Sequence, residues 1–78
     1  MAMYFYEYRG FIIYPTPKRS LDATAWTIEL SIRLAGNIKV FKSGHTFSTE
    51  GEAVFHCIDF GKRIIDGEVE DLTVYDLL

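Results

Sequence analysis

Trp26, Ile28, Leu30, Ile32 and Leu34 alternate without a break with Thr27, Glu29, Ser31 and Arg33. A period of two over this length predicts a strand with one buried and one wet face. Shorter apolar runs flank it. Tyr8 to Tyr14 reads as a strand that Pro15 and Pro17 close, with Gly10 marking a bulge or a close approach. Tyr4-Phe5-Tyr6 extend this strand or lie over the sheet edge, and Pro15 to Asp22 form a polar loop. After Leu34, Ala35-Gly36-Asn37 supply a tight turn. Ile38 to Lys42 then read as the return strand. Ile38 and Val40 share one face, Lys39 and Phe41 the other, and Gly44-His45-Thr46 break the run.

The period then changes. Ala53, Val54, Cys57, Ile58, Gly61, Ile64 and Ile65 fall on one stripe at helical spacing, with Phe60 at its edge. Thr49 and Glu52 have the spacing of a capping box. Glu50 and Glu52 stand at the start and Lys62 and Arg63 near the end, as the helix dipole favours. Gly67 is a natural stop. Glycine inside a helix costs about 1 kcal/mol relative to alanine, so Gly61 on the stripe implies close approach to a bulky sheet residue such as Trp26. The segment Glu68 to Leu78 is acidic, with Val69, Leu72, Val74 and Leu77 interspersed, and its local pattern fits a helix, a strand or a frayed tail alike.

The expected fold is therefore α+β: a three-stranded antiparallel meander packed on one C-terminal helix, a βββα two-layer sandwich. Residues 1–78 make one domain, with its core in 8–67 and an acidic tail in 68–78.

Several short motifs carry a resemblance. They are Tyr8-Arg9-Gly10-Phe11-Ile12-Ile13, Trp26 in its alternating strand, Thr46-Phe47-Ser48-Thr49-Glu50-Gly51-Glu52-Ala53 and Phe60-Gly61-Lys62-Arg63-Ile64-Ile65-Asp66-Gly67. Over roughly residues 8 to 67 the chain resembles a family of small uncharacterised bacterial proteins. In that family a tyrosine-arginine-glycine strand opens a three-stranded sheet and a capping turn starts a single helix. The chain departs from it at Gly51, which splits the usual Glu-Glu-Ala, and in the tail after Gly67. The resemblance implies a fold and no activity.

Composition narrows the function classes. The chain has 78 residues, 49% hydrophobic and 24% charged, which excludes the signature of disorder and leaves no room for a multidomain enzyme. The net charge of −3 is uneven. Residues 1–43 carry six basic and three acidic groups (+3), and residues 44–78 two basic and eight acidic groups (−6). A basic surface on the first half is thus compatible with an acidic total. Cys57 is the only cysteine, which points to a reducing compartment. No signal-peptide pattern or long apolar run is present, so the expectation is a soluble cytoplasmic protein with no membrane association.

Candidate chemistry is sparse. His56 and Cys57 are neighbours about 100° apart on the helix and His45 lies in a loop, so no metal-ligand spacing exists. Cys57 on the core stripe reads as an inert buried thiol. Glu52, His56, Asp59 and Arg63 line one helix face, where Glu52–His56 and Asp59–Arg63 pairing explains them. Phosphate-binding glycine patterns are absent. No catalytic residue, metal, cofactor or small-molecule ligand is expected, and the chain reads as a non-enzyme.

What remains is surface. The open sheet face is expected to show Thr27, Glu29, Ser31, Arg33, Lys39 and Phe41, with tyrosines of the first strand; Phe55 projects from the helix opposite the core stripe. The candidate interaction surface is Tyr6, Tyr8, Arg33, Lys39, Phe41 and Phe55. A non-enzymatic module binding protein through this face or an edge strand, or self-associating as a homodimer, is the first reading. A nucleic-acid-binding domain using Arg33, Lys39, Lys42 and nearby aromatics is the second.

Overall fold

The computed structural model describes residues 4–22 and 24–78; residues 1–3, part of the N-terminus read for targeting signals, lie outside it. The fold is α+β, with five antiparallel strands rather than three, one α-helix and a short 3-10 helix. The strands are β1 (Tyr6–Tyr8), β2 (Phe11–Pro15), β3 (Lys18–Arg19), β4 (Trp26–Leu34) and β5 (Asn37–Phe47). The helix α1 spans Glu50–Ile65 and the 3-10 turn Tyr75–Leu77. β4 is central, with β2 and β3 along one side and β5 along the other.

The two additional strands arise from local chemistry. Arg9 (φ 51°) and Gly10 (φ 85°) form the two-residue loop between Tyr8 and Phe11, which are paired. Two positive φ values in succession match a type I′ hairpin, the turn whose twist suits paired strands. Tyr6 to Tyr8 thus become a strand of their own, and Gly10 serves the turn instead of a bulge. At the other end, β2 stops at Pro15 as expected, but the ladder resumes past the prolines as β3. The pairs Pro15–Leu30 and Lys18–Thr27 keep one register, so β3 continues β2. Thr16 N–H donates to the Glu29 carbonyl at 2.8 Å between them. Alternation then points the nitrogens of Pro15 and Pro17 away from β4, to the side where β1 has ended, and no ladder bond is lost there.

β5 is longer than its expected Ile38–Lys42. The pairs Ile28–Ser43 and Thr27–Thr46 leave Gly44 and His45 as a bulge, past which the strand resumes to Phe47. The helix begins as expected, with Glu52 N–H donating to Thr49 Oγ1 at 3.2 Å. It ends in a Schellman motif: Gly67 N–H reaches the Ile64 carbonyl (3.1 Å) and Glu68 N–H the Arg63 carbonyl (2.9 Å), with Gly67 at φ 77°.

The core lies between α1 and one face of the sheet. Phe11, Ile13, Ile28, Leu30, Ile32 and Phe41 meet Ala53, Cys57, Gly61 and Ile64. Val74 and Leu77 are buried too, so the acidic tail closes the core and the core extends beyond residue 67. Gly61 does allow close approach, although its neighbours are not Trp26. A Cβ there would sit 2.9 Å from Ile13 Cγ2 and 3.1 Å from Leu30 Cδ1. Gly51 in the first helical turn faces open space.

These two glycines make a paired test. Gly61→Ala gains about 1 kcal/mol of helix propensity but overpacks the core at a cost of about 1–3 kcal/mol, so a net loss of stability is expected. Gly51→Ala carries no such cost and is expected to hold or raise stability. Urea unfolding of both variants checks the pair; equal behaviour would show that helix–sheet spacing does not depend on Gly61.

Candidate interaction surface

Cross-strand partners share a face, so the ladder assigns every strand residue to a side. Leu30 pairs with Phe41 and Ile32 with Lys39; Ser31 pairs with Val40 and Arg33 with Ile38. Phe41 and Lys39 therefore lie on the helix side, and Ile38 and Val40 on the open face, the reverse of the sequence expectation. Phe41 is 3% exposed, Ile38 60% and Val40 56%. A one-residue difference in the turn accounts for this. Leu34 pairs with Asn37 across a two-residue loop, Ala35-Gly36. Taking Asn37 into the loop shifts the register by one and turns every β5 side chain over.

The six expected surface residues do not assemble. Tyr6 and Tyr8 are on the helix side at the sheet edge. Lys62 Nζ lies 4.4 Å from the Tyr6 ring and 5.6 Å from that of Tyr8. Tyr8 Oη donates to Asp66 Oδ2 at 2.7 Å, and this bond to a carboxylate, followed by burial, raises the pKa of the phenol. Lys39 Nζ donates to Asp76 Oδ1 at 3.0 Å and to the Thr73 carbonyl at 3.2 Å, and it lies 5.4 Å from the Phe41 ring. Arg33 alone of the six stands on the open face, its Nε donating to the Ala35 carbonyl at 2.8 Å. Phe55 projects from α1 at 68% exposure, edge-on to His56.

The open face is instead built in rows. One runs Glu7, Ile12, Arg33, Ile38; the next carries Tyr14, Ser31 and Val40. Phe5, 62% exposed, brings its ring to 6.4 Å from that of Tyr14 at the end of this row. A third row is ionic: Glu29 lies 3.6 Å from Lys18 Nζ and 3.4 Å from Lys42 Nζ. Phe5, Ile12 and Tyr14 on one side and Ile38 and Val40 on the other thus form two apolar strips on the open face, with Ser31 and Arg33 of β4 between them. Single exposed apolar residues are ordinary, but several gathered on one face suit a partner. The signal for this face in the sequence is Ala35-Gly36, a two-residue loop that leaves Asn37 in β5.

The basic residues of the first half offer no continuous basic-aromatic face. Arg9 pairs with Asp66 (3.2 Å), Lys18 and Lys42 share Glu29, Lys39 holds Asp76, Arg33 bonds a backbone carbonyl, and Arg19 lies 5.8 Å from the Trp26 ring.

The remaining candidates for chemistry have structural partners. Asp59 pairs with Arg63 at 3.4 Å, as expected. Glu52 instead accepts from Ser48 and Thr49 hydroxyls, and His56 stacks on Phe47 with centroids 4.2 Å apart and planes 8° from parallel. Cys57 is fully buried, its thiol donating to the Glu29 carbonyl at 3.4 Å, and burial raises its pKa. Among the described residues no group of three or more His, Cys, Asp or Glu is placed to hold a metal ion. None of their helices is long and apolar enough to cross a membrane. A pocket of about 70 Å³ lies where α1 meets the tail, between Ile64, Gly67 and Tyr75. It is well below the roughly 300–1,000 Å³ usual for small-molecule sites.

No family model, curated protein or solved structure matches the chain.

Two predictions follow from these contacts. Burial keeps the Cys57 thiol protonated and shielded, so a thiol reagent at mildly alkaline pH is expected to leave the native protein unmodified and to react at once in denaturant. The bond from Lys39 lowers the Asp76 pKa below its ordinary 3.8. A carboxyl pKa depressed by folding stabilises above the unfolded pKa, and the contribution is lost as pH falls through the folded value. The tail is expected to loosen below that range before the sheet does. Methyl resonances of Leu77 in an acid titration check this, with Lys39→Met abolishing the difference.

Proposed function

We propose that this chain is a non-enzymatic protein-interaction module that binds through the open face of its sheet and the adjoining β5 edge. The observation that supports the reading most is the placement of Ile38 and Val40. Both are β-branched apolar residues, and both stand in water on the same face as Ile12, Tyr14 and Phe5, while a lysine occupies the helix side of the same strand. Burial in a partner would recover about 25 cal/mol for each Å² of that apolar surface. The Lys18–Glu29–Lys42 group supplies a polar rim of the kind interfaces carry, and Arg33 stands between the apolar strips. The nucleic-acid reading has less support, because Lys39 and Phe41 are turned away and Arg9, Lys18 and Lys42 are paired with carboxylates within the chain. A single buried thiol suits a reducing compartment, and the cytoplasm is the proposed setting. The reading includes kinship with the small bacterial proteins that the motifs resemble.

The test is a triple variant, Ile12→Thr, Ile38→Thr and Val40→Thr. Threonine keeps β propensity and removes the apolar surface. Ile38 and Val40 are exposed, and positions of that kind that serve only a partner are expected to cost no more than about 0.5 kcal/mol each in stability, the half-buried Ile12 somewhat more, while binding of a hydrophobic dye is lost. A variant that melts far below the wild type would overturn the reading, since the three residues would then serve the fold.

A further inference from the structure

The sheet has two edges of unequal character. β1 presents three residues, whereas β5 presents eleven, and Gly44-His45 divide these into two arms. The ladder shows which backbone groups of the first arm are free. Leu34 and Asn37 flank a two-residue hairpin loop and so form a narrow, doubly bonded pair. Residues 37, 39, 41 and 43 therefore direct their N–H and C=O groups to β4. Ile38, Val40 and Lys42 direct theirs outward. The β2 side agrees: Thr16 N–H bonds to the Glu29 carbonyl, so odd-numbered β4 residues face β2 and even-numbered ones face β5. Among the described residues no backbone group of Ile38, Val40 or Lys42 has a partner outside the ladder. The tail does not cover this edge through hydrogen bonds, since it is the Lys39 side chain that holds Thr73 and Asp76.

We propose that the occupant of this edge is a second copy of the chain, with β5 pairing antiparallel to β5 about a two-fold axis at Val40. The proposal rests on the interaction-module reading and names its partner. Three features favour this register. Val40 faces Val40 of the second copy as a doubly bonded pair, and Ile38 faces Lys42 of the second copy on both sides, so all the outward groups are used. No lysine stands opposite a lysine; centring the axis on Lys39 or Lys42 would oppose like charges, which destabilises a strand pair. On the helix side Lys39 comes opposite Phe41 of the second copy, the same cation–ring pairing it already makes at 5.4 Å within the chain. The two open faces then join into one continuous sheet surface, with the exposed Ile38 and Val40 of both copies at its centre. A two-fold contact of one surface with itself is the commonest form of oligomer.

The test uses light scattering with size exclusion across the micromolar range on the wild type and two variants. The wild type is expected to approach twice 9.0 kDa at high concentration. Val40→Lys brings like charges together at the axis and is expected to give a monomer. Ile38→Glu sets a carboxylate opposite Lys42 of the second copy at two sites and is expected to retain or strengthen the dimer. Both positions are exposed, and circular dichroism verifies that each variant folds. Amide exchange supplies an independent readout: protection of Ile38, Val40 and Lys42 is expected only where the dimer is populated, while residues 39 and 41 stay protected throughout. A wild type that is monomeric throughout overturns the proposal. So does a dimer that Ile38→Glu abolishes, because that result assigns association to the sheet face. Either outcome leaves the interaction-module reading standing on its own triple-variant test.

Discussion

The absence of a side chain at Gly61 sets the spacing between the two layers. α1 lies so close over Ile13 and Leu30 that even a methyl group would fall within 2.9 Å of Ile13 Cγ2. Because the helix approaches there, Cys57 on the preceding turn reaches the Glu29 carbonyl and Ile64 on the following turn is sealed. A chain of this size has one core and little redundancy, so a wider layer spacing would open a void that no second cluster could offset. α1 covers β5 less than β2 and β4, and the tail adds Val74 and Leu77 to the core. Lys39 then fastens the tail from below through Thr73 and Asp76.

Much of this was legible in the sequence wherever a pattern was long. The strict alternation of Trp26 to Leu34 gave the central strand with its buried face, and the stripe from Ala53 to Ile65 gave the helix, its Thr49 cap and its Gly67 stop. Such segments repeat their signal several times, so one ambiguous residue does not matter. The short connections behaved differently. In the β4–β5 hairpin everything hung on whether Asn37 belongs to the loop or to the strand. Both choices contain acceptable turn residues, and the choice inverts a whole strand. Ile38 and Val40 invited burial by their hydrophobicity, and Lys39 invited exposure by its charge. The outcome was decided elsewhere, by Phe41 needing to meet Leu30.

The prolines illustrate the same limit. Pro15 and Pro17 lie two residues apart, so both nitrogens point to one side of the strand. Whether that ends a strand depends on which side holds the neighbour. That is settled by β1, whose register the Arg9-Gly10 turn sets and whose pairing stops at Tyr6 opposite Ile13, and no window around the prolines contains that information. The tail was equally illegible for a tertiary reason. Its acidic residues suggest solvation, but Val74 and Leu77 have an unfilled space beside α1 to enter, and Asp76 has Lys39 to meet.

The charge layout acquires its meaning from these contacts. A basic first half against an acidic second half looked like a candidate binding surface. In the folded chain it acts largely as internal stitching. Arg9 joins Asp66, Lys39 joins Asp76, and Lys62, one of the few basic groups of the acidic half, covers Tyr6 and Tyr8. Exposed pairs of this kind each contribute little to stability, but they tie the β1 hairpin and the tail to the helix and occupy the side chains that would otherwise mark the surface. With the charges engaged in this way, the least satisfied surface is the apolar one, the rows of Ile12, Tyr14, Ile38 and Val40 bordered by an open strand edge. In a domain this small, hydrophobic residues spent on solvent are withheld from an already thin core, and a surface where they gather is the place to look for a partner.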